Sequence, residues 1–159
     1  MRKYVLLFIL ASIIYYIYFK SSIIENNFIF PTKYTAISSY YGYRELYGYH
    51  NGIDFLAPEG SEIYASCSGY VEYASFLESG YGNTIIISHD SGIKTLYCHI
   101  SETFIVKVGD YVSQGSIIAH VGPKYLSNGK MNGNTTGPHL HFSIFRDNTS
   151  INPLEILKK

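Results

Sequence analysis

Thr136-Gly137-Pro138-His139-Leu140-His141-Phe142 is the stretch on which both the fold and the chemistry of this chain turn. The Gly-Pro pair argues against a helix beginning just before it. Leu140, Phe142 and Ile144 then alternate with other residues as the inward positions of a β-strand do. Side chains two apart on a strand point to one face, so His139 and His141 look into one space. A lone histidine on such a face is more often a hydrogen-bonded structural residue than a ligand. Two at this spacing raise a metal or catalytic reading to equal standing and ask whether the chain supplies partners.

The surroundings read as a β-rich domain. The chain has 159 residues, room for one domain, with 17 Tyr, 9 Phe and 14 Gly to form strands and punctuate them. A formal net charge of +0 gives no electrostatic footprint for nucleic acid. Cys67 and Cys98 are too few for a disulfide framework and form no C-x-x-C metal pair. No repeat and no low-complexity tract stands out. Strands are expected near Ala36–Tyr40, Ile53–Leu56, Glu62–Ala65, Gly69–Phe76, Thr84–His89, Lys94–Ile100, Ser116–Val121 and Leu140–Phe145. Asp90-Ser91-Gly92 joins two of them as a hairpin, and Asn152–Leu157 reads as a single helical turn. The longest irregular piece, Gly122 to Gly137, directly precedes the histidine pair, which suggests a functional or mobile loop.

At the N-terminus, Arg2 and Lys3 precede an apolar run from Tyr4 to Phe19, closed by Lys20. As a helix the run is about 24 Å long, short of a bilayer core of about 30 Å, although its tyrosines extend it into the interfacial zones. A positive start followed by an apolar stretch fits a secretory signal or an uncleaved anchor, and Tyr18-Phe19-Lys20 offers no small-residue cleavage site. The expectation is export, with residues 1–20 a membrane anchor or signal segment, 21–29 a linker, and 30–159 the folded domain.

Two other places offer partners for the histidine pair. In His50-Asn51-Gly52-Ile53-Asp54, a histidine and a carboxylate lie four apart. On a straight strand they would be about 13 Å apart, so a turn or bulge at Gly52 is needed to bring them to one point. In Tyr97-Cys98-His99-Ile100-Ser101, strand alternation sends Cys98 and His99 to opposite sides, one to a cavity and one to the core. The polar candidates are then His50, Asp54, His99, His139 and His141. Two histidines and one carboxylate satisfy a catalytic zinc site that keeps its fourth position open. Two histidines remain for proton transfer, which matters because no H-E-x-x-H glutamate is present.

Taken together, the motifs resemble the LytM/lysostaphin-type zinc peptidases, the M23 family of peptidoglycan endopeptidases. The resemblance runs through Ser38-Ser39-Tyr40-Tyr41-Gly42-Tyr43-Arg44, His50–Phe55, Ala57-Pro58-Glu59-Gly60, Gly80-Tyr81-Gly82-Asn83, Tyr97–Ser101, Val108-Gly109-Asp110, Thr136–Phe142 and Asn152-Pro153. It implies an all-β domain of antiparallel sheets of the duplicated hybrid-motif or split-barrel type, preceded here by one apolar helix. It implies one Zn²⁺ held by His50, Asp54 and His141, with His99 and His139 catalytic. Spacing alone leaves open which of His139 and His141 holds the metal. The implied reaction is hydrolysis of peptide cross-links in bacterial peptidoglycan by a zinc-activated water, in the cell envelope. Arg44, Asn83 and Tyr97 are candidate substrate-binding residues.

The sequence also departs from the family pattern. The connection Pro123 to Thr135 is longer than usual and is expected to form one wall of a substrate groove, while the short stretch from Arg44 to His50 leaves the opposite wall low. Ser143 stands where the family often has Glu, so a partner of the metal ligands differs. Cys98 reads as a small buried residue in preference to half of a Cys67–Cys98 disulfide. His89 reads as structural, and His120 as facing solvent or a partner. The stretch Val108–Ile118 resembles the hammerhead turns of biotinyl carriers but lacks a modifiable lysine at a hairpin tip. A non-catalytic envelope scaffold or regulator of other cell-wall hydrolases is the competing reading, and the intact five-residue set weighs against it.

Overall fold

The apolar run at the N-terminus is helical. In the computed structural model, which describes residues 2–25 and 28–158, helix α1 spans Arg2–Glu25. Fourteen strands follow among the described residues: β1 (Phe28–Ile29), β2 (Ile37–Ser39), β3 (Gly42–Arg44), β4 (Gly48–His50), β5 (Ile53–Phe55), β6 (Glu62–Tyr64), β7 (Gly69–Leu77), β8 (Gly82–Ser88), β9 (Ile93–Cys98), β10 (Tyr111–Val112), β11 (Ile117–His120), β12 (Leu140–Arg146), β13 (Thr149–Ile151) and β14 (Leu157–Lys158). All eight expected strands are present, and the domain is all-β as expected. The missed strands β1, β3, β4, β10, β13 and β14 are two or three residues long, too short to display alternation.

The helix continues through Ser21 and Ser22 to Glu25, where a polar linker is expected, and β1 already pairs with β14 at Phe28 and Ile29. Asn26 and Asn27 of that linker lie outside the described residues. Described side chains of the helix run from Val5 to Tyr16 and are all exposed. Among the described residues no helix is long and apolar enough to cross a membrane, so the anchor reading gains no support. The side chains of the flanking Arg2, Lys3 and Lys20 lie outside those described.

The main sheet runs β10-β7-β8-β9-β12-β5-β2, all antiparallel, with β13 pairing the far half of β12. Small two-stranded pairs, β3–β4 and β6–β11, flank it. Strand β12 is central because alternate side chains have somewhere to go on both faces. Leu140, Phe142 and Ile144 are fully buried in the apolar core with Ile53, Phe55, Ile85, Ile87 and Tyr97. Burying each large apolar side chain contributes about 1.5–3 kcal/mol. The other face of β12 carries His141 and Ser143, also buried, but beneath the polar site. The expected hairpin at Asp90-Ser91-Gly92 links β8 to β9, with Ser91 at φ +60° making the turn. Asn152 caps the short 3₁₀ turn Pro153–Glu155 by accepting from the Leu154 N–H at 3.2 Å. Cys67 and Cys98 are free thiols.

Behind the core, one polar chain is closed off from water. His89 Nδ1 donates to the Ser68 carbonyl at 2.9 Å, and Nε2 lies 2.8 Å from Thr95 Oγ1. Thr95 Oγ1 is in turn 3.0 Å from the Tyr97 hydroxyl, which accepts from the Ser66 N–H at 2.8 Å. His89 is thus structural, as expected. Burial lowers its pKa below the ordinary 6.5, outweighing the Ser68 carbonyl and Asp90, which favour the charged form. The folded state therefore binds this proton less readily than the unfolded chain. Its stabilising effect is complete above about pH 6.5 and is lost as pH falls from there through the lowered value. Melting temperatures taken from about pH 8 to about pH 5 should fall less steeply in His89→Gln than in the wild type, and equal slopes would remove His89 from the acid response.

Candidate active site

The site is built on one cross-strand pair. Strands β5 and β12 are in register with Asp54 directly opposite His141, which sets the two side chains on one face about 5 Å apart at Cβ. Asp54 Oδ1 comes to 2.9 Å from His141 Nδ1. His50 arrives from a different sheet, at the end of β4, and its Nε2 lies 3.2 Å from Asp54 Oδ1 and 3.0 Å from His141 Nδ1. The break at Asn51-Gly52 that carries the chain from β4 to β5 brings the two residues of His50-x-x-x-Asp54 to one point, as the expected turn requires. Gly52 is there because nothing larger fits. A Cβ would sit 2.4 Å from the Phe142 carbonyl oxygen, 2.5 Å from Ser143 Oγ and 2.9 Å from His141 Cε1.

The protons of this trio are fixed from outside. His50 Nδ1 donates to the Tyr40 carbonyl at 2.9 Å, leaving Nε2 with a lone pair. Ser143 Oγ donates toward Asn51 Oδ1 at 3.5 Å and lies 2.8 Å from His141 Nε2, so it accepts from that nitrogen and leaves Nδ1 with the lone pair. Two imidazole lone pairs and a carboxylate oxygen therefore converge, three acceptors with no donor among them. A cation is what such a cluster fits. Bonds of about 2.0–2.2 Å at tetrahedral angles separate zinc ligand atoms by roughly 3.3 Å, close to the spacing found. His50, Asp54 and His141 form the metal-capable cluster among the described residues. Burial opposes the charge on Asp54, but where no cation lies between them a proton on His141 or His50 hydrogen-bonds the carboxylate, outweighs burial and holds the carboxyl well below its ordinary range. Burial in turn lowers the pKa of His141.

A second histidine pair stands beside the first. His99 and His139 have ring centroids 4.7 Å apart, and His139 Nε2 lies 3.7 Å from Asp54 Oδ1. His139 Nδ1 donates to the Gly137 carbonyl at 2.9 Å. Strand β9 ends at Cys98, and His99 takes φ +59°, a left-handed conformation uncommon outside glycine. That twist, not simple alternation, turns His99 into the cavity while Cys98 stays fully buried. Three contacts over-determine it. The His99 N–H donates to the Tyr81 carbonyl, its carbonyl accepts from the Gly122 N–H, and Nδ1 donates to the Asn132 carbonyl at 2.7 Å. Burial, then the neighbouring His139 and His141 rings, push the His99 pKa down to about 3, so its Nε2 lone pair is available at neutral pH.

Asn132 is the anchor of this arrangement. Fully buried, it accepts from the Asn83 N–H at 2.9 Å and donates to the carbonyls of Ile100 at 2.9 Å and Pro123 at 3.2 Å. Gly82 and Gly122 leave it room, since a Cβ on either would fall within 2.7 Å of an Asn132 atom. The long connection before the histidine pair thus supports His99 from behind. Only Asn134, Thr136 and Gly137 of residues 122–137 reach the cavity. The rest folds back through a Tyr125–Met131 bridge, Ser127 bonded to Glu102, and Lys130 paired with Glu78. The expectation that this segment as a whole walls a groove is corrected accordingly.

The five histidine and aspartate candidates all line one cavity of about 770 Å³, with Arg44, Tyr47 and Tyr49 from the β3–β4 hairpin on its flank. Asn83 and Tyr97, expected at the substrate, do not reach it. Asn83 is taken up by Asn132 and the Ser101 carbonyl, and Tyr97 lies in the core. Tyr81, Asn51 and Ser39 do line it. Asn51 Nδ2 donates to the Tyr81 hydroxyl, and the Tyr81 ring centroid is 5.9 Å from that of His141. Tyr81 lies within Gly80-Tyr81-Gly82-Asn83, but neither its spacing nor its neighbours in sequence signal a place at the site.

The family model for peptidase family M23 matches residues 48–153, the span that holds all five site residues. The chain belongs to peptidase family M23. It is 36% identical over 131 residues to the DD-carboxypeptidase/endopeptidase Mpg of Neisseria meningitidis, covering 79% of this chain and 28% of that protein. Among solved structures it is similar to Csd3 of Helicobacter pylori, with a TM-score of 0.68 and 32% identity, covering 84% of this chain and 34% of that one. The catalytic domain of lysostaphin from Staphylococcus simulans aligns with a TM-score of 0.65 and 33% identity, covering 75% and 89%. The chain therefore spans little more than a quarter of the curated relative Mpg.

Within this M23 domain, two side chains behind the histidines are open to direct test. Ser143→Ala removes the acceptor that orients His141 and should weaken zinc binding by about tenfold or more, measured by competition with a chelator. Asn132→Ala releases the anchor of His99 and should lower kcat by about tenfold or more while zinc content stays stoichiometric.

Proposed function

We propose that this M23 domain is a zinc metallo-endopeptidase that hydrolyses peptide cross-links of bacterial peptidoglycan and works in the cell envelope. The observation that carries the reading is the convergence of three acceptors, His50 Nε2, Asp54 Oδ1 and His141 Nδ1, beside a second pair of imidazoles in one cavity. Peptidoglycan as substrate is supported by the relatives, among them Mpg and the peptidoglycan DD-endopeptidase ShyC of Vibrio cholerae. A DD-type activity suits a cross-link between D-Ala and a diamino acid.

In this reading His50, Asp54 and His141 hold the metal, and zinc bound there supplies a Lewis acid and lowers the pKa of water at the site from 15.7 to about 7. The rest of the work falls to the chain. His99 and His139 each keep Nδ1–H on a backbone carbonyl, so each presents Nε2 for proton transfer. One accepts a proton as the nucleophile attacks the amide. The imidazolium so formed stabilises the developing oxyanion and delivers that proton to the leaving amine. A cation held beside Asp54 would keep its carboxylate ionised.

Chelation should abolish release of muropeptides from purified peptidoglycan, and zinc should restore it. His141→Ala should lose both zinc and activity. His99→Ala should keep zinc and lose roughly 10²–10⁴-fold in rate. Mass spectrometry of the digest, wild type against His141→Ala, identifies the bond cut. Stoichiometric zinc with no muropeptide product from wild type would turn the reading to an envelope scaffold.

A further inference from the structure

Among the described residues Arg44 is the sole lysine or arginine on the cavity, and the reaction above gives it no task. Its Nη1 donates to Ser39 Oγ at 3.0 Å, and its Cζ lies 5.7 Å from the centroid of the Tyr47 ring. Its Nε is shielded from water and has no hydrogen-bond partner. Among the described residues no carboxylate pairs with it. Asp54, the one carboxylate among the described residues on the cavity, is engaged by His50 and His141. A guanidinium offers five N–H donors in a planar fork that matches a carboxylate edge to edge. Here a permanent cation faces the cavity with most of that fork unspent.

Its place beside Ser39 and His50 says which part of a ligand it meets. The guanidinium donates to Ser39 Oγ at 3.0 Å, and Ser39 Oγ is 3.2 Å from His50 Nδ1. One residue of extended peptide spans about 3.5 Å. Arg44, lining the same cavity as the cluster, is therefore in reach of a carboxylate on a residue close to an amide held at His50, Asp54 and His141.

We propose that Arg44 binds a free carboxylate on the residue next to the scissile amide, making the cavity selective for peptides that are anionic at that point. Two groups in peptidoglycan stems share this chemistry. One is the C-terminal carboxylate of an uncross-linked stem. The other is the α-carboxylate of a diamino acid whose neighbouring amine forms the cross-link. A glycine bridge inside a cross-link carries no such group. The inference rests on the hydrolase reading only in calling the amide scissile. Recognition of the carboxylate is separable from turnover.

The experiment measures binding and hydrolysis separately on the zinc-loaded full chain. Calorimetry on His99→Ala, in which turnover is suppressed, compares a stem pentapeptide ending in D-Ala-D-Ala with the same peptide as its C-terminal amide. The acid should bind about tenfold more tightly. Placing Arg44→Gln in the same background should bring the ratio close to one, and Arg44→Lys, which keeps the charge without the fork, should leave it in between. Equal affinities for acid and amide in the parent, a measurement that needs no Arg44 variant to fold, would overturn the proposal. So would a preference that survives Arg44→Gln. A purified cross-linked dimer, with its diamino-acid carboxylate free or amidated, is the second arm and tells the two sources apart. In hydrolysis by the chain with His99 intact, Arg44→Gln should raise KM for acids more than it lowers kcat. Acid-selective binding with no hydrolysis of any peptide would sink the hydrolase reading and leave this one standing.

Discussion

The register between β5 and β12 is the constraint from which the rest of the site follows. With Asp54 opposite His141, Ile53 and Phe55 on one strand and Leu140 and Phe142 on the other fall on the opposite face and enter the core. A slip of one residue would turn the aspartate and histidine into the apolar interior and expose two phenylalanines. Hydrophobic burial thus holds the polar pair in place, because any register that spoils the site also spoils the core. Gly52 and Ser143 fit the same logic. The close approach that removes every Cβ at Gly52 keeps the β4–β5 connection pressed against His141, so His50 cannot drift from the cluster without opening the strand pair.

Much of this was legible from residues alone, and the part that was not has a physical reason. The alternation of Leu140, Phe142 and Ile144 identified a strand, and the His50–Asp54 spacing together with Gly52 correctly required a turn. Apolar periodicity works there because burial enforces it. The strands β3 and β4 gave no such signal, being three residues long with exposed Tyr43 and Tyr49. His99 was found by residue type but for the wrong geometric reason. Its left-handed backbone is imposed by Tyr81, Gly122 and Asn132, distant in sequence, and no local pattern encodes it. Tyr97 and Asn83 were misplaced for the converse reason. Aromatic and amide side chains near a motif look functional until long-range packing assigns them to the core or to an anchor.

The connection before the histidine pair shows how extra length is accommodated in this domain. Its irregular composition suggested an open groove wall, yet its central residue, Asn132, uses every hydrogen-bonding group it has. Side-chain bonds run to three backbone groups, the backbone N–H donates to Lys124, and the carbonyl receives His99. A fully satisfied buried amide is worth keeping only if each partner stays in place, because leaving one unpaired costs about 1–3 kcal/mol. The loop is accordingly a brace, and the cavity is walled on its other flank by the tyrosine-rich hairpin.

Four histidines meet at this cavity, and the way each is held explains how similar side chains come to present different nitrogens. His50, His99 and His139 each commit Nδ1 to a backbone carbonyl, those of Tyr40, Asn132 and Gly137, and so present Nε2, the nitrogen farther from the main chain. His141 is the exception. Its Nε2 is taken by Ser143, two residues along the same strand, so it offers Nδ1, the nearer nitrogen. That inversion lets a strand residue directly opposite Asp54 meet the carboxylate without overshooting it. His139, two positions earlier on the same face, reaches past with Nε2 and stops at 3.7 Å from the same oxygen. Residue spacing treats the two as equivalent. What separates them is which ring nitrogen the surrounding fold has already occupied, and at three of the four positions the group that occupies it is a backbone carbonyl, placed by the fold and not by any side chain.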